Sequence, residues 1–116
     1  FLAEDDLNAR KLAVHRLEEA SHEVVFQAGD MKTAQTGVSL AAQLGVTVGV
    51  LDGNLTETDH SGDDGRTLAT LLRQAVPGVK IVSFSGGKVD YGDVAVDKSR
   101  WQDDPFIQLA RAVTAL

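Results

Sequence analysis

The sequence predicts an α/β fold in which helices cover both faces of a five-stranded parallel sheet. Short apolar runs alternate along the chain with segments whose apolar residues recur at helical spacing, and this alternation is typical of parallel sheets. The run at 46–51 carries no charged residue, as expected for a central strand that is buried on both faces. Right-handed crossovers between such strands favour a doubly wound sheet with the strand order 2-1-3-4-5.

Five short runs rich in apolar, β-branched or aromatic residues are predicted to be strands. The first run is only three residues long, so we expect that a few residues of this strand precede Phe1. With five parallel strands, the order 2-1-3-4-5 is the one found in flavodoxin-like sheets. The predicted strands are 1–3, 23–28, 46–51, 79–84 and 93–96.

Four segments have apolar residues near helical spacing and are predicted to be helices. Asp30 can cap the second of them, and Gly45 ends it. The dipeptide 77–78 (Pro-Gly) ends the third, and two Asp residues followed by a proline favour the start of the last helix at 103–105. The predicted helices are 7–20, the segment between Asp30 and Gly45, 65–76, and a final helix that runs to about Leu116.

Length and composition predict one soluble domain spanning residues 1–116. Hydrophobic residues make up 43% and charged residues 24% of the chain, as in ordinary globular proteins. The net charge of -6 argues against a nucleic-acid partner, because a phosphate backbone requires neutralising Lys and Arg. No apolar run approaches the roughly 20 residues that span a bilayer, which argues against a membrane partner. The absence of cysteine excludes disulfides and thiolate metal sites and is compatible with a cytoplasmic location.

Chemically reactive side chains follow four of the predicted strands. In a doubly wound sheet, ligands bind beyond the carboxyl ends of the strands, near the point where the strand order reverses. Glu4 and Asp5 follow the first strand, and Asp52 follows the third. Ser85 follows the fourth strand and Lys98 the fifth. We therefore expect these five side chains to meet in one pocket.

The residue types at these positions predict metal-assisted phosphoryl chemistry. Three carboxylates in one pocket repel each other unless a cation neutralises them, and carboxylate oxygens suit Mg²⁺. A carboxylate can also act as a nucleophile and form an aspartyl-phosphate. The ammonium of Lys98 and the hydroxyl of Ser85 could then stabilise the oxygens of the transferred phosphoryl group.

Four segments in this order resemble those of response-regulator receiver domains in two-component signalling, and the resemblance covers the whole chain. Residues 2–10 (LAEDDLNAR) resemble the acidic-pair segment, and residues 50–55 (VLDGNL) resemble the phosphoacceptor segment. Residues 84–86 (FSG) lie where receivers have a hydroxyl residue followed by a small one. Residues 96–99 (VDKS) lie where receivers have their lysine.

The resemblance implies a phosphoacceptor domain rather than an enzyme with a separate substrate. Asp52 would take the phosphoryl group, and Ser85 and Lys98 would bind it. Asp5 would ligate Mg²⁺ directly and Glu4 through a water molecule. The full set of metal ligands implied by the resemblance is Glu4, Asp5, Asp52 and the backbone carbonyl of Asn54.

The resemblance also implies which partners the domain would have. The donor would be a phosphohistidine on a sensor histidine kinase or phosphotransfer protein, and the domain would be able to lose its phosphoryl group by itself. Neither the output partner nor the oligomeric state is fixed by the sequence, and a homodimer is one of the states it allows.

The sequence departs from the receiver pattern in four places. Ser99 replaces the usual proline after the lysine, and Ala95 replaces an aromatic residue that many receivers carry. The loop after Asp52 is about five residues longer than usual. Only 12 residues separate Ser85 from Lys98, and the glycine-rich stretch 86–92 is a poor helix former. We therefore predict that the fourth helix is missing or reduced to a turn, which would alter the usual output and dimerisation surface.

Three other functions are alternatives to a phosphorylated receiver. A degenerate receiver would bind a partner without being phosphorylated. A phosphatase of the haloacid-dehalogenase kind is suggested by residues 51–56 (LDGNLT), but Asn54 stands where that family needs a second Asp. A nucleotide-binding module is disfavoured because no Gly-rich phosphate loop follows the first strand. Of the remaining polar and aromatic residues, we expect the histidines at the surface and Trp101 anchored against the sheet.

Overall fold

Five parallel strands form one sheet: β1 (Leu2–Ala3), β2 (Gln27–Ala28), β3 (Val48–Leu51), β4 (Lys80–Ser85) and β5 (Val94–Asp97). Their order across the sheet is β2-β1-β3-β4-β5. The computed structural model describes residues 1–55, 63–86 and 89–116. The sheet confirms the predicted flavodoxin-like order, in which β1 lies beside both β2 and β3.

Helices cover both faces of this sheet, as predicted. They are α1 (Leu7–Glu19), α2 (Met31–Leu40), α3 (Asp63–Ala75) and α4 (Pro105–Thr114), with a short 3-10 turn at Trp101–Asp103. None of the helices in the described part of the chain has the length and apolar character needed to cross a bilayer.

Alternation of side chains along the strands divides the core into two layers. Val50 and Val82 face α1 and α4, where they pack with Leu17 and Leu109. Their neighbours along the strands point to the opposite face, because successive side chains of a strand alternate. The residues that pack in the layer with α2 and α3 include Leu51, Ile81, Leu68 and Leu72.

Aspartate side chains cap three of the helices. Asp6 accepts a hydrogen bond from the Ala9 amide, and Asp30 caps α2 as predicted by accepting one from the amide of Thr33. Asp104 accepts from two amides in the first turn of α4. Each cap satisfies backbone N–H groups that have no partner inside the helix.

Several predicted boundaries are wrong by a few residues. The predicted strand 23–28 is reduced to Gln27–Ala28, because β1 offers only two residues for it to pair with. β3 begins two residues later than predicted. Helix α2 ends at Leu40 and gives way to turns that lead to Gly45, whose φ of 72° lies in the left-handed region. Helix α3 begins at Asp63, two residues earlier than expected.

The connection between β4 and β5 contains no helix in its described residues, 86 and 89–93. The prediction that the fourth helix is missing or reduced is therefore confirmed. The longer loop predicted after Asp52 falls mainly at 56–62, outside the described residues, and the same is true of His60. Helix α4 follows β5 after the short turn and packs on α1.

Trp101 does not anchor the loop against the sheet, so that prediction is wrong. Its side chain is 69% exposed, and its ring centroid lies 6.2 Å from that of Phe106. Phe106 itself packs edge-on against Phe84 of β4, with 5.5 Å between the ring centroids. The space between α4 and the sheet is thus filled by phenylalanine, and the indole lies outside it.

Candidate functional site

Three carboxylates converge at the carboxyl ends of β1 and β3. Glu4 and Asp5 follow β1 and Asp52 follows β3, and one carboxylate oxygen from each lies within 4.8 Å of the others. The two strands are neighbours, with Ala3 paired to Leu51, so the residues after them must emerge side by side. Glu4 and Asp52 are buried, whereas Asp5 is exposed at the mouth of the cluster.

The ammonium group of Lys98 reaches into the same cluster. Its Nζ lies 2.7 Å from Oε1 of Glu4 and 3.1 Å from Oδ2 of Asp52. The Lys98 amide donates a hydrogen bond to the Ser85 carbonyl, which fixes the start of the side chain beside the end of β4. Nζ also lies 5.4 Å from the ring centroid of Phe84, a distance at which a cation is attracted to an aromatic face.

Burial and mutual repulsion act on the two acidic residues that follow β1. Burial, and then the neighbouring Asp52, raise the pKa of Glu4 from 4.5 to about 9, and the ion pair with Lys98 does not outweigh them. Burial and a hydrogen bond with Asp52 likewise raise the pKa of Asp5. Three ionised carboxylates would thus carry more negative charge than Lys98 alone can balance, and without a further cation Glu4 keeps its proton.

Asp52 behaves in the opposite way. Burial acts to raise its pKa, but hydrogen bonds with Glu4 and Asp5 and the positive charge of Lys98 outweigh it, so the pKa falls below its usual value. The pKa of Lys98 is raised because the charges of Asp52 and Glu4 outweigh the effect of burial. The site thus keeps Asp52 as a carboxylate and Lys98 as an ammonium, which are the charge states needed by a nucleophile and its counter-charge.

The donor set of this cluster fits a hard divalent cation. Its ligand atoms are carboxylate oxygens only and come from three residues. A divalent cation would balance the charge that these carboxylates carry once they are ionised. Mg²⁺ prefers such oxygens, together with waters and phosphate oxygens. Glu4, Asp5 and Asp52 would hold the ion here. The part assigned to the carbonyl of Asn54 stays a prediction, although the Asn54 amide lies 3.3 Å from Oδ1 of Asp52.

Ser85 is placed at the rim of the same site. It is the last residue of β4, is 4% exposed and pairs with Asp97 of β5. β4 lies between β3, which carries Asp52, and β5, which leads to Lys98. The structure thus brings Ser85 to the carboxyl edge with the other predicted residues, and its hydrogen bond to a phosphoryl oxygen stays a prediction.

Two residues outside the predicted set of site residues also contact the backbone of the site. Nη1 of Arg10 donates a hydrogen bond to the Glu4 carbonyl at 2.8 Å. The hydroxyl of Tyr91 donates one to the Leu51 carbonyl at 2.7 Å. Arg10 is part of the receiver-like segment at 2–10. Tyr91 lies in a glycine-rich connection, where the sequence does not predict the orientation of a side chain.

Comparisons with known proteins identify the fold of the chain. The sequence matches no protein-family model and no curated protein. Among solved structures, the chain is similar to the isolated REC domain of RcsB from Salmonella enterica serovar Typhimurium, determined in the presence of the phosphomimetic BeF3-. The two share 19% identity with a TM-score of 0.72, over 98% of this chain and 83% of that one.

Two further structures show the same similarity. The response regulator domain of Thermotoga maritima CheB is 16% identical with a TM-score of 0.70, over 98% of this chain and 88% of that one. A response regulator receiver protein from Sinorhizobium medicae WSM419 is 20% identical with a TM-score of 0.66, over 96% and 92% of the two chains. Nearly the whole chain is thus covered, and it has the fold of a response-regulator receiver domain.

Proposed function

We propose that this chain is a phosphoacceptor receiver domain that takes a phosphoryl group onto Asp52 in a Mg²⁺-dependent reaction. The observation that carries the proposal is the position of the Asp52 carboxylate, between two further carboxylates and the ammonium of Lys98 at the carboxyl edge of a receiver fold. Such a carboxylate is ionised, close to a counter-charge and beside a cation site, which is the combination that phosphoryl transfer requires.

The transfer itself needs only a positioned nucleophile and counter-charges. An Asp52 oxygen forms the bond to phosphorus, and the phosphorus–nitrogen bond of a phosphohistidine breaks. The phosphohistidine ring is protonated at its other nitrogen, so the electron pair of the broken bond stays on a neutral imidazole. No proton has to be removed from Asp52, because its lowered pKa keeps it ionised. Lys98, already 3.1 Å from Asp52, balances charge on one phosphoryl oxygen. Bound Mg²⁺ would supply the counter-charge for the other oxygens.

Ser85 and Asn54 have supporting roles in this proposal. Ser85, at the end of β4, donates a hydrogen bond to a phosphoryl oxygen. The resemblance to receivers assigns Asn54 two parts: its backbone carbonyl would complete the metal ligands, and its side chain would lie near the water that attacks the aspartyl-phosphate. The choice of Asn at this position then influences how long the modification lasts.

A receiver role also implies particular partners. The donor is a sensor histidine kinase or a phosphotransfer protein, the reaction takes place in the cytoplasm, and an output partner reads the phosphorylated state. The fold shared with the RcsB domain, whose structure was determined with the phosphomimetic BeF3-, supports the phosphoacceptor role by analogy.

The test is incubation with Mg²⁺ and phosphoramidate, a small phosphodonor, followed by intact-mass measurement. We expect the wild-type chain to gain the mass of one phosphoryl group and Asp52→Ala to gain none. Asp6→Asn is a matched control, because it removes a neighbouring acidic charge while keeping a side chain that caps α1 equally well. An unmodified wild type, or an adduct that persists in Asp52→Ala, contradicts the proposal.

One observation favours a second candidate, a receiver that binds its partner without phosphorylation. The described part of the connection between β4 and β5 lacks a helix, so the surface there differs from that of an ordinary receiver. If the mass measurement finds no adduct, this second function is the one that the fold and the altered connection support.

A further inference from the structure

Tyr91 is a buried side chain in the connection between β4 and β5. It is 4% exposed, and its hydroxyl donates a buried hydrogen bond of 2.7 Å to the carbonyl oxygen of Leu51. Leu51 is the last residue of β3 and directly precedes Asp52. The hydroxyl therefore holds the end of the strand that presents the proposed phosphoacceptor.

The ring of Tyr91 packs where the Asp52 backbone meets the first turn of α3. A Cβ atom built on Gly65 would lie 2.6 Å from Cζ of Tyr91 and 2.7 Å from the backbone oxygen of Asp52. The Gly65 amide also donates a hydrogen bond of 3.1 Å to the carbonyl of Gly53. The tyrosine ring, the acceptor's backbone and the helix thus meet with no room for one methyl group, so a shift in one of them displaces the others.

Residues on both sides of Tyr91 fix the connection to the rest of the fold. Asp90 forms an ion pair of 2.6 Å with Arg66 of α3. Asp93 exchanges two hydrogen bonds with the Ile81 backbone of β4, donating from its amide at 2.7 Å and accepting on Oδ2 at 2.8 Å. Tyr91 therefore lies between a residue that is paired with α3 and one that is hydrogen-bonded to β4, and its hydroxyl contacts Leu51.

The acidic site acts electrostatically on the tyrosine hydroxyl. Burial raises the pKa of Tyr91, and the negative charges of Asp52 and Glu4 raise it further. The hydroxyl consequently keeps its proton and remains a donor. Because its environment includes the charge of Asp52, adding a phosphoryl group there changes the field at the hydroxyl.

We propose that Tyr91 is a positioning residue for Asp52: its hydroxyl and ring hold the Leu51–Asp52 backbone so that the carboxylate meets the phosphodonor, and its environment changes when Asp52 is phosphorylated. This inference rests on the proposed phosphoacceptor function. It gives the connection between β4 and β5 a role in the site, through a tyrosine that no receiver-like segment of the sequence includes.

The first test compares two variants that each remove one buried hydroxyl. Tyr91→Phe keeps the ring and loses the hydrogen bond to Leu51. Ser83→Ala is the matched control, because the hydroxyl of the fully buried Ser83 on β4 donates to the Val94 carbonyl at 3.3 Å. Val94 belongs to β5, which lies on the side of β4 away from Asp52. Both variants should lower the urea midpoint, but only Tyr91→Phe should slow modification by phosphoramidate, by roughly three- to tenfold.

The second test needs no substitution. Tyr91 is the single tyrosine of the chain, so fluorotyrosine labelling gives one fluorine NMR signal. We expect this signal to shift when the labelled chain is phosphorylated in the presence of Mg²⁺. In labelled Asp52→Ala, the same additions should leave it in place. Because the labelled protein still has a tyrosine at position 91, this measurement tests the proposal even if Tyr91→Phe does not fold.

The two proposals fail in different ways. If the wild type takes no phosphoryl group, the phosphoacceptor function fails and the inference about Tyr91 fails with it. If the wild type is phosphorylated but the fluorine signal does not move, only the positioning role is overturned. The same holds if Tyr91→Phe reacts at the wild-type rate, or if Ser83→Ala is slowed as much as Tyr91→Phe.

Discussion

Glu4 and Asp52 lie side by side in the interior, and the ammonium of Lys98 contacts both carboxylates. The Glu4 side chain is fully buried and that of Asp52 nearly so, whereas Lys98 keeps about a fifth of its surface exposed (22%). Leaving a buried charge without its partner is costly, because the remaining ion has lost its water without gaining a counter-charge. Lys98 is therefore expected to stabilise the fold as well as to serve the proposed transfer.

Lys98→Met should lower the free energy of unfolding by about 2 kcal/mol in the absence of divalent cations, because the remaining buried carboxylates lose their counter-charge. Arg66→Met is the control, since it breaks the exposed ion pair with Asp90 and should change stability by less than about 1 kcal/mol. Urea unfolding followed by circular dichroism measures both. An equal decrease in the free energy of unfolding in the two variants would show that Lys98 stabilises the fold no more than an exposed ion pair does.

The residues of the acidic site could be predicted because each one directly follows a strand. Parallel strands end at one edge of a sheet, so the strand order alone places Asp5, Asp52 and Lys98 near each other. The contact between Tyr91 and Leu51 could not be predicted in this way. It depends on the path of an irregular connection. The hydrophobic periodicity that orients side chains in strands and helices is absent from such a connection, so the sequence does not predict the orientation of its side chains.

At the level of elements, the spacing of apolar residues predicts the helices correctly, whereas the residues at their ends predict the boundaries only to within a few positions. Asp30 was identified as a cap because an Asp before an apolar helical pattern has a defined hydrogen-bonding role. The strand expected at 23–28 is short because its length depends on the partner strand, which its own sequence does not reveal. Trp101 was misplaced because hydrophobicity predicts burial only on average, and Phe106 already fills the space beside the sheet.

Helix α3 allows a test in which packing opposes helix propensity. Replacing Gly by Ala inside a helix normally stabilises it by up to about 1 kcal/mol. Gly65→Ala should instead destabilise the protein by roughly 1–3 kcal/mol, because its methyl group would meet the Tyr91 ring and the Asp52 carbonyl. Thr67→Ala, on the exposed face of the same helix, should stabilise it by about 0.5 kcal/mol. Thermal unfolding distinguishes the two, and stabilisation by Gly65→Ala would show that this contact is not tight.

The fold as a whole holds together a site whose charges oppose folding. Because β1 pairs with β3, one carboxylate oxygen from each of Glu4, Asp5 and Asp52 lies within 4.8 Å of the others. The apolar packing on both faces of the sheet offsets the repulsion between these groups. Sites that destabilise a protein in this way are commonly those that bind a ligand. A cation that binds only the folded chain should recover this free energy.

Magnesium should therefore stabilise the whole molecule, and this effect should depend on Asp5. With Mg²⁺ at 100 times its dissociation constant, linkage predicts a gain of about 2.7 kcal/mol in the free energy of unfolding. Asp5→Asn should be more stable than wild type without Mg²⁺, because the raised pKa of Asp5 shows that its charged form is disfavoured in the fold. The same variant should lose most of the gain from Mg²⁺.

Urea unfolding with and without Mg²⁺ measures both effects, and circular dichroism is the suitable probe because Trp101 is already exposed in the folded state. Asp6→Asn is the matched control, since it removes the same charge one residue further along and keeps the cap of α1. It should respond to Mg²⁺ as the wild type does. A gain from Mg²⁺ that is equal in Asp5→Asn and Asp6→Asn would place the cation elsewhere on this acidic protein and remove the metal from the proposed mechanism.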